Sequence, residues 1–209
     1  MRVKGLNKRF SLFFILVWVT FVLYPQPTAL GKSIYRLLDP PVAPNSVGAM
    51  LETLPSQVEP SEIENYILTT VPYSYDWQVF NLPWYFPTVE EVLLKGTGDC
   101  KSRFIVLASA LEALDIPYEL YLSPVHIWIN YAGKRETGIE NRDAALFYAE
   151  EGRFLIKLPQ VDLQASFDMF WEAFWVYMPE TRKTTLLSGL LAGSLLFFMP
   201  EKRNNPPYK

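Results

Sequence analysis

The stretch GTGDCKSRFIVLASALEALDIPYELYLSPVHIWINY (Gly96–Tyr131) decides the fold. Asp99 is placed to cap a helix. After it Phe104, Ile105, Leu107, Ala108, Leu111 and Leu114 recur at helical spacing. Asp115-Ile116-Pro117 ends that helix. Beyond Pro117 the period drops to two: Tyr118–Leu122 alternates and so does His126–Tyr131, both rich in strand formers. A helix followed by antiparallel strands predicts an α+β fold. The same stretch holds the chain's only cysteine, Cys100, at the helix start, and its only histidine, His126, at a strand start.

Upstream, Leu38 to Asn45 carries three prolines and reads as a linker, with Asn45 capping a short helix through Leu54. Ser61 with Glu64 suggests a capping box for a helix over Ser61 to Val71, and Thr88 with Glu91 a second one for a helix ending at Gly96. Downstream, Ala132-Gly133-Lys134-Arg135 reads as a hairpin turn leading to a strand over Glu136–Glu140. Leu146–Tyr148 and Phe154–Leu158 suggest another hairpin, turning at Glu151-Gly152. Phe167 to Tyr177 is a bulky aromatic helix that packs on the domain or lies at a membrane interface.

The excess apolarity sits at the two ends. Phe10 to Tyr24 runs without a charge behind a basic tail (1–9), as a transmembrane anchor or a signal segment with Ala29-Leu30-Gly31 as a cleavage site. Thr184 to Met199 is again uncharged and has no polar face, which favours a membrane helix over a buried C-terminal one. Gly189 and Gly193 form a GxxxG for close approach of a helix partner. Both tails, 1–9 and 200–209, are basic, so the positive-inside rule puts both in the cytoplasm and the middle outside it. From Pro25 to Lys183 there are 12 Lys and Arg against 21 Asp and Glu, a net charge of −9, which does not suit nucleic acid. The expected plan is therefore a linker and short helix over 25–60, a domain over 61–178, and flanking membrane segments.

One cysteine excludes an intrachain disulfide and a thiolate zinc cluster, and one histidine excludes His-rich metal sites. No Walker loop or GxGxxG is present, so neither cofactor nor metal is expected. What remains is thiol chemistry. A cysteine in the first turn of a helix meets the positive end of the helix dipole, which favours the reactive thiolate. His126 would face it as base, with its other ring nitrogen held by an acid on the paired strand. Glu140 is the candidate, with Asp143 as the fallback. Oxyanion donors are the Cys100 amide and, more weakly, Trp84 or Gln78.

Tyr75-Asp76, Trp84, Glu90 and Glu91, Gly98-Asp99-Cys100, the apolar helix ending at Asp115-Ile116-Pro117, and His126-x-Trp128 occur in the order of a known family. The stretch from Val71 to Asn141 resembles the transglutaminase-like (papain-like) cysteine superfamily. The resemblance implies Cys100 as nucleophile, His126 as base and Glu140 as the orienting acid, though the family usually has Asp there. Lys101-Ser102-Arg103 also depart from the pattern and are expected to face away from the thiol. The implied activity is acyl transfer through an acyl-enzyme on a peptide or protein substrate at the cell envelope. The alternative is a non-catalytic binding or scaffold module in a membrane complex.

Overall fold

The computed structural model describes residues 6–55, 57–150, 153–160 and 162–199. Within them the chain forms two units, one from residues 6–28 with 178–199 and one from residues 29–177. In chain order the helices before the sheet are α1 (Leu6–Leu23), α2 (Pro27–Leu38), α3 (Gly48–Leu51), α4 (Pro60–Thr70), α5 (Asp76–Val79), α6 (Val89–Lys95) and α7 (Cys100–Ala113). Then come β1 (Tyr118–Leu122), β2 (Ile127–Tyr131), β3 (Phe147–Glu150) and β4 (Arg153–Ile156). The chain closes with α8 (Leu163–Trp171) and α9 (Glu180–Phe198). The fold is α+β. The tails at 1–5 and 200–209 and the turn at Glu151-Gly152 lie outside the described residues.

In the second unit α7 is the centre. The Asp99 side chain accepts hydrogen bonds from the amides of Lys101 and Ser102 and so caps it. Asp115, at φ 54°, takes the left-handed conformation that ends it. FIVLASAL is apolar all round, as a helix buried on every side must be. Val47, Ile63, Ile67, Phe86, Val89 and Val92 cover one side. Ile127, Ile129 and Tyr131 of β2 cover another. The sheet is antiparallel, in the order β2-β1-β3-β4. Tyr118 pairs with Tyr131 and Leu122 with Ile127, so β2 is an edge strand whose odd-numbered residues face α7.

Several elements differ from the sequence reading. Pro27–Leu38 is a helix rather than linker, because Pro27 occupies the first turn, where a missing N–H costs nothing. Arg36 near its end binds the Phe86 carbonyl (2.9 Å), Glu91 (2.9 Å) and the Tyr85 hydroxyl (3.1 Å). Asn45 caps nothing: a 3-10 turn over Pro44–Val47 leads into α3, with Ala43 at the cap position. Helix α4 starts one residue before Ser61, with Pro60 in its first turn and Glu62 taking the Glu59 amide (3.1 Å). Ser61 with Glu64 is therefore not the capping box. The Thr88–Glu91 box is present, with the Thr88 amide 2.8 Å from Glu91.

Glu136–Glu140 forms no strand. The Thr137 amide donates to the Glu140 carbonyl (3.1 Å) and the Glu140 amide to the Thr137 hydroxyl (3.0 Å). Asn141 donates to the carbonyls of Thr137 and Gly138 (3.1 Å each). These local bonds close a compact turn and use groups that a ladder would need. The aromatic helix begins earlier than Phe167, capped by Asp162, and widens into a π turn over Glu172–Val176.

The first unit is an antiparallel pair. The Ser11 hydroxyl donates to the Gly193 carbonyl (2.6 Å), the Trp18 indole to the Thr185 carbonyl (2.9 Å), and Arg182 to the Val22 carbonyl. The glycine face that the sequence offers to a helix partner is taken by α1 of the same chain. A Cβ on Gly189 would lie 1.9 Å from the Trp18 Nε1, and one on Gly193 2.3 Å from Ile15 Cγ1. Among the described residues no single helix is long and apolar enough to cross a membrane; α1 with α2, two helices separated by a bend, meet that length and composition only together.

Candidate active site

Cys100 is the first residue of α7 and is half-buried. The turn that delivers it is fastened to residues 72–74. The Gly98 amide donates to the Pro72 carbonyl (3.1 Å), the Ser74 amide to the Gly98 carbonyl (3.0 Å), and the Thr97 hydroxyl to the Pro72 carbonyl (2.8 Å). Gly98 must be glycine because α7 presses on it: an added Cβ would meet the Ser102 hydroxyl at 2.1 Å and its Cβ at 2.3 Å.

His126 precedes β2. Its amide donates to the Ser123 hydroxyl (3.0 Å), while the Ser123 amide donates to the His126 carbonyl (2.8 Å). Its ring stacks on Trp128 with centroids 5.6 Å apart. The Nε2 lies 2.7 Å from Glu140 Oε1. With Nε2 so engaged, Nδ1 is the nitrogen left for Cys100, which lines the same cavity as the imidazole. Burial pulls the His126 pKa down, but the hydrogen bonds and charges of Cys100 and Glu140 outweigh it and lift it to about 9. Burial likewise works against the Glu140 carboxylate, yet His126 and Lys134 hold its pKa below the usual value. At neutral pH this favours a protonated imidazole beside an ionised carboxylate.

Cys100, His126 and Glu140 thus line one cavity, of about 80 Å³, together with Tyr73, Arg103 and Lys134. The acid reaches it from a loop, not from a strand opposite His126. Asp143 is not in it; that carboxylate is exposed and pairs with Lys157 (2.6 Å). Gln78 is exposed and uses its Oε1 on the Tyr75 amide (3.2 Å). Trp84 is half-buried and does not line the cavity. Neither weak oxyanion candidate lines the thiol's cavity.

Of the residues that depart from the family pattern, Arg103 does line the thiol's cavity. It is held by the Val71 carbonyl (2.9 Å) and sits over the Tyr73 ring at 5.3 Å. Lys101 and Ser102 are buried under the turn. The Lys101 ammonium pairs with Asp76 (2.9 Å) and with Asp99, which ties Tyr75-Asp76 to the nucleophile turn. Burial alone would depress the Lys101 pKa, but the two carboxylates raise it. Burial, then the charge of Asp99, pushes the Asp76 pKa up to about 7 against the pull of Lys101. Tyr73 is a cavity residue that sequence reasoning missed. Burial and the charges of Cys100 and Asp99 raise its pKa, so its hydroxyl keeps its proton.

Such an arrangement can attack a carbonyl with sulfur, protonate a leaving group from Nδ1, and offer the Cys100 amide to an oxyanion. Among the described residues no group of three or more His, Cys, Asp or Glu is placed to hold a metal ion. No protein-family model matches the sequence, and no curated protein matches it.

Proposed function

We propose that this chain is a thiol acyl-transfer enzyme of the transglutaminase-like kind, with Cys100 as nucleophile, His126 as acid and base, and Glu140 as the orienting acid. The observation that carries the reading is the meeting of Cys100, His126 and Glu140 in one cavity, with His126 Nε2 2.7 Å from Glu140 Oε1. The chemistry is balanced. The Cys100 sulfur, having given its proton to His126 Nδ1, attacks an amide or ester carbonyl and a C–S bond forms. The carbon–nitrogen or carbon–oxygen bond breaks as Nδ1 returns the proton to the leaving group. Water or an amine then attacks the thioester, Nδ1 takes its proton, and the sulfur leaves as thiolate. Glu140 keeps Nε2–H pointed away from the sulfur throughout and stabilises the imidazolium.

The first unit supports a place at a membrane. Phe10, Leu12, Phe13, Leu16 and Phe21 on α1, and Leu187, Leu191 and Leu195 on α9, are exposed although the two helices pack on each other. Apolar surface of that extent calls for lipid or protein cover. With that surface covered by a membrane, the substrate we propose is a peptide or protein at the cell envelope.

The test is a panel of electrophilic acyl probes on membranes holding the full chain. The reading expects one covalent adduct at Cys100, absent in Cys100→Ala and strongly slowed in His126→Ala. Labelling no faster than that of free cysteine would sink it and leave a binding module.

A further inference from the structure

The turn after β2 carries a lysine in an unusual setting. Gly133, at φ 86°, folds the chain back so that the Lys134 amide donates to the Tyr131 carbonyl (3.1 Å). The Lys134 side chain then runs inward instead of into solvent and is only 7% exposed. Its ammonium lies 2.7 Å from Glu64 Oε1 and 2.9 Å from Glu140 Oε2. Glu64, on α4, also accepts the Tyr131 hydroxyl. A buried ammonium is tolerated only with such compensation.

We infer that Lys134 is a positioning residue for the acid: the Glu64–Lys134 pair fixes the orientation of the Glu140 carboxylate, so that one oxygen is held against His126. The inference rests on the acyl-transfer reading of the same cavity. The two oxygens of Glu140 are divided, Oε1 to His126 (2.7 Å) and Oε2 to Lys134 (2.9 Å). Glutamate has one more rotatable bond than aspartate, and here it stands on a turn with no ladder to hold it. Lys134 supplies the missing constraint and joins the acid, through Glu64, to a helix of the core. The cation also draws charge from the carboxylate, so Glu140 orients the imidazole without taking its proton. The charged and titratable groups around His126 are Cys100 and Arg103 from α7, Glu64 from α4, Tyr73 from the segment before α5, and Lys134 and Glu140 from the loop.

The experiment compares the full chain with Lys134→Met and Lys134→Arg in two readouts. One is the low-field proton resonance of His126 Nε2–H, readily assigned because the chain has one histidine. The other is the rate of Cys100 acylation by a probe. Lys134→Met is expected to broaden or abolish the resonance and to slow acylation on the order of tenfold or more, and Lys134→Arg to restore both. A Lys134→Met protein that keeps the resonance and the wild-type rate overturns the inference. If that variant does not fold, Glu64→Gln loosens the same clamp from its far side; it must weaken the resonance, and an unchanged signal overturns the inference. The two claims fail separately. A wild-type thiol no faster than free cysteine refutes acyl transfer, while the response of the resonance to Lys134 still decides the clamp.

Discussion

Cys100 and His126 are held in a different way from Glu140. The first two stand at the ends of α7 and β2, whose contact is made by buried residues such as Ile105, Ile127 and Ile129. Glu140 stands on a turn and is placed by side-chain bonds to His126 and Lys134, with these carboxylate and imidazole groups 21% and 15% exposed. Backbone and core packing position the thiol and the imidazole; ion pairing positions the carboxylate. The first kind of placement cannot be lost without loss of the fold. The second can be removed by itself.

Substitutions should therefore separate along that line, and stability is the measure that ranks them. Ile105→Ala, in the fully buried centre of α7, is expected to cost about 2–5 kcal/mol in urea unfolding and to take probe reactivity with it. Gly98→Ala forces a Cβ onto the Ser102 side chain at 2.1–2.3 Å and is expected to cost about 1–3 kcal/mol; Ser102→Gly in the same chain should recover most of it. Recovery by Ser102→Ala instead would mean that the Ser102 Cβ is not the obstacle. Glu140→Gln is expected to cost less in unfolding than Ile105→Ala, since Glu64 still compensates the Lys134 ammonium, while slowing acylation of Cys100 severalfold or more. A Glu140→Gln chain that unfolds as easily as Ile105→Ala would erase the distinction between the two kinds of placement. The smallest effect belongs to Ser102→Ala. The Ser102 hydroxyl is buried with no partner among the described residues, so its removal should be neutral or slightly stabilising in the same assay.

The same division explains what could be read in the sequence. Asp99 as a cap, the end of α7 at Asp115, and β1 and β2 are local signals, and each stands where it was expected. The strand expected over Glu136–Glu140 is absent, and Glu140 reaches His126 from a turn because Thr137 and Asn141 close the loop locally. Tyr73, Arg103 and Lys134 carry no periodic signal. Their roles depend on meetings across the fold, such as Lys134 with Glu64 on α4, which spacing along the chain does not encode. Lys101 shows the same limit: the sequence says only that it faces away from the thiol, and its role emerges once Asp76 and Asp99 are seen around it.

The central claim is that Cys100 works through His126, and the pH dependence of acyl transfer tests it most directly. His126 carries a pKa raised to about 9, so the proton it must give to the leaving group is present below that pH and lost above it. The full chain should turn over an amide or ester probe at a rate that falls as pH rises through about 9. His126→Ala should be slower by about 10²–10⁴-fold, with that alkaline limb gone. A wild-type rate that keeps climbing above pH 9, in parallel with the His126→Ala variant and with free cysteine, would contradict it.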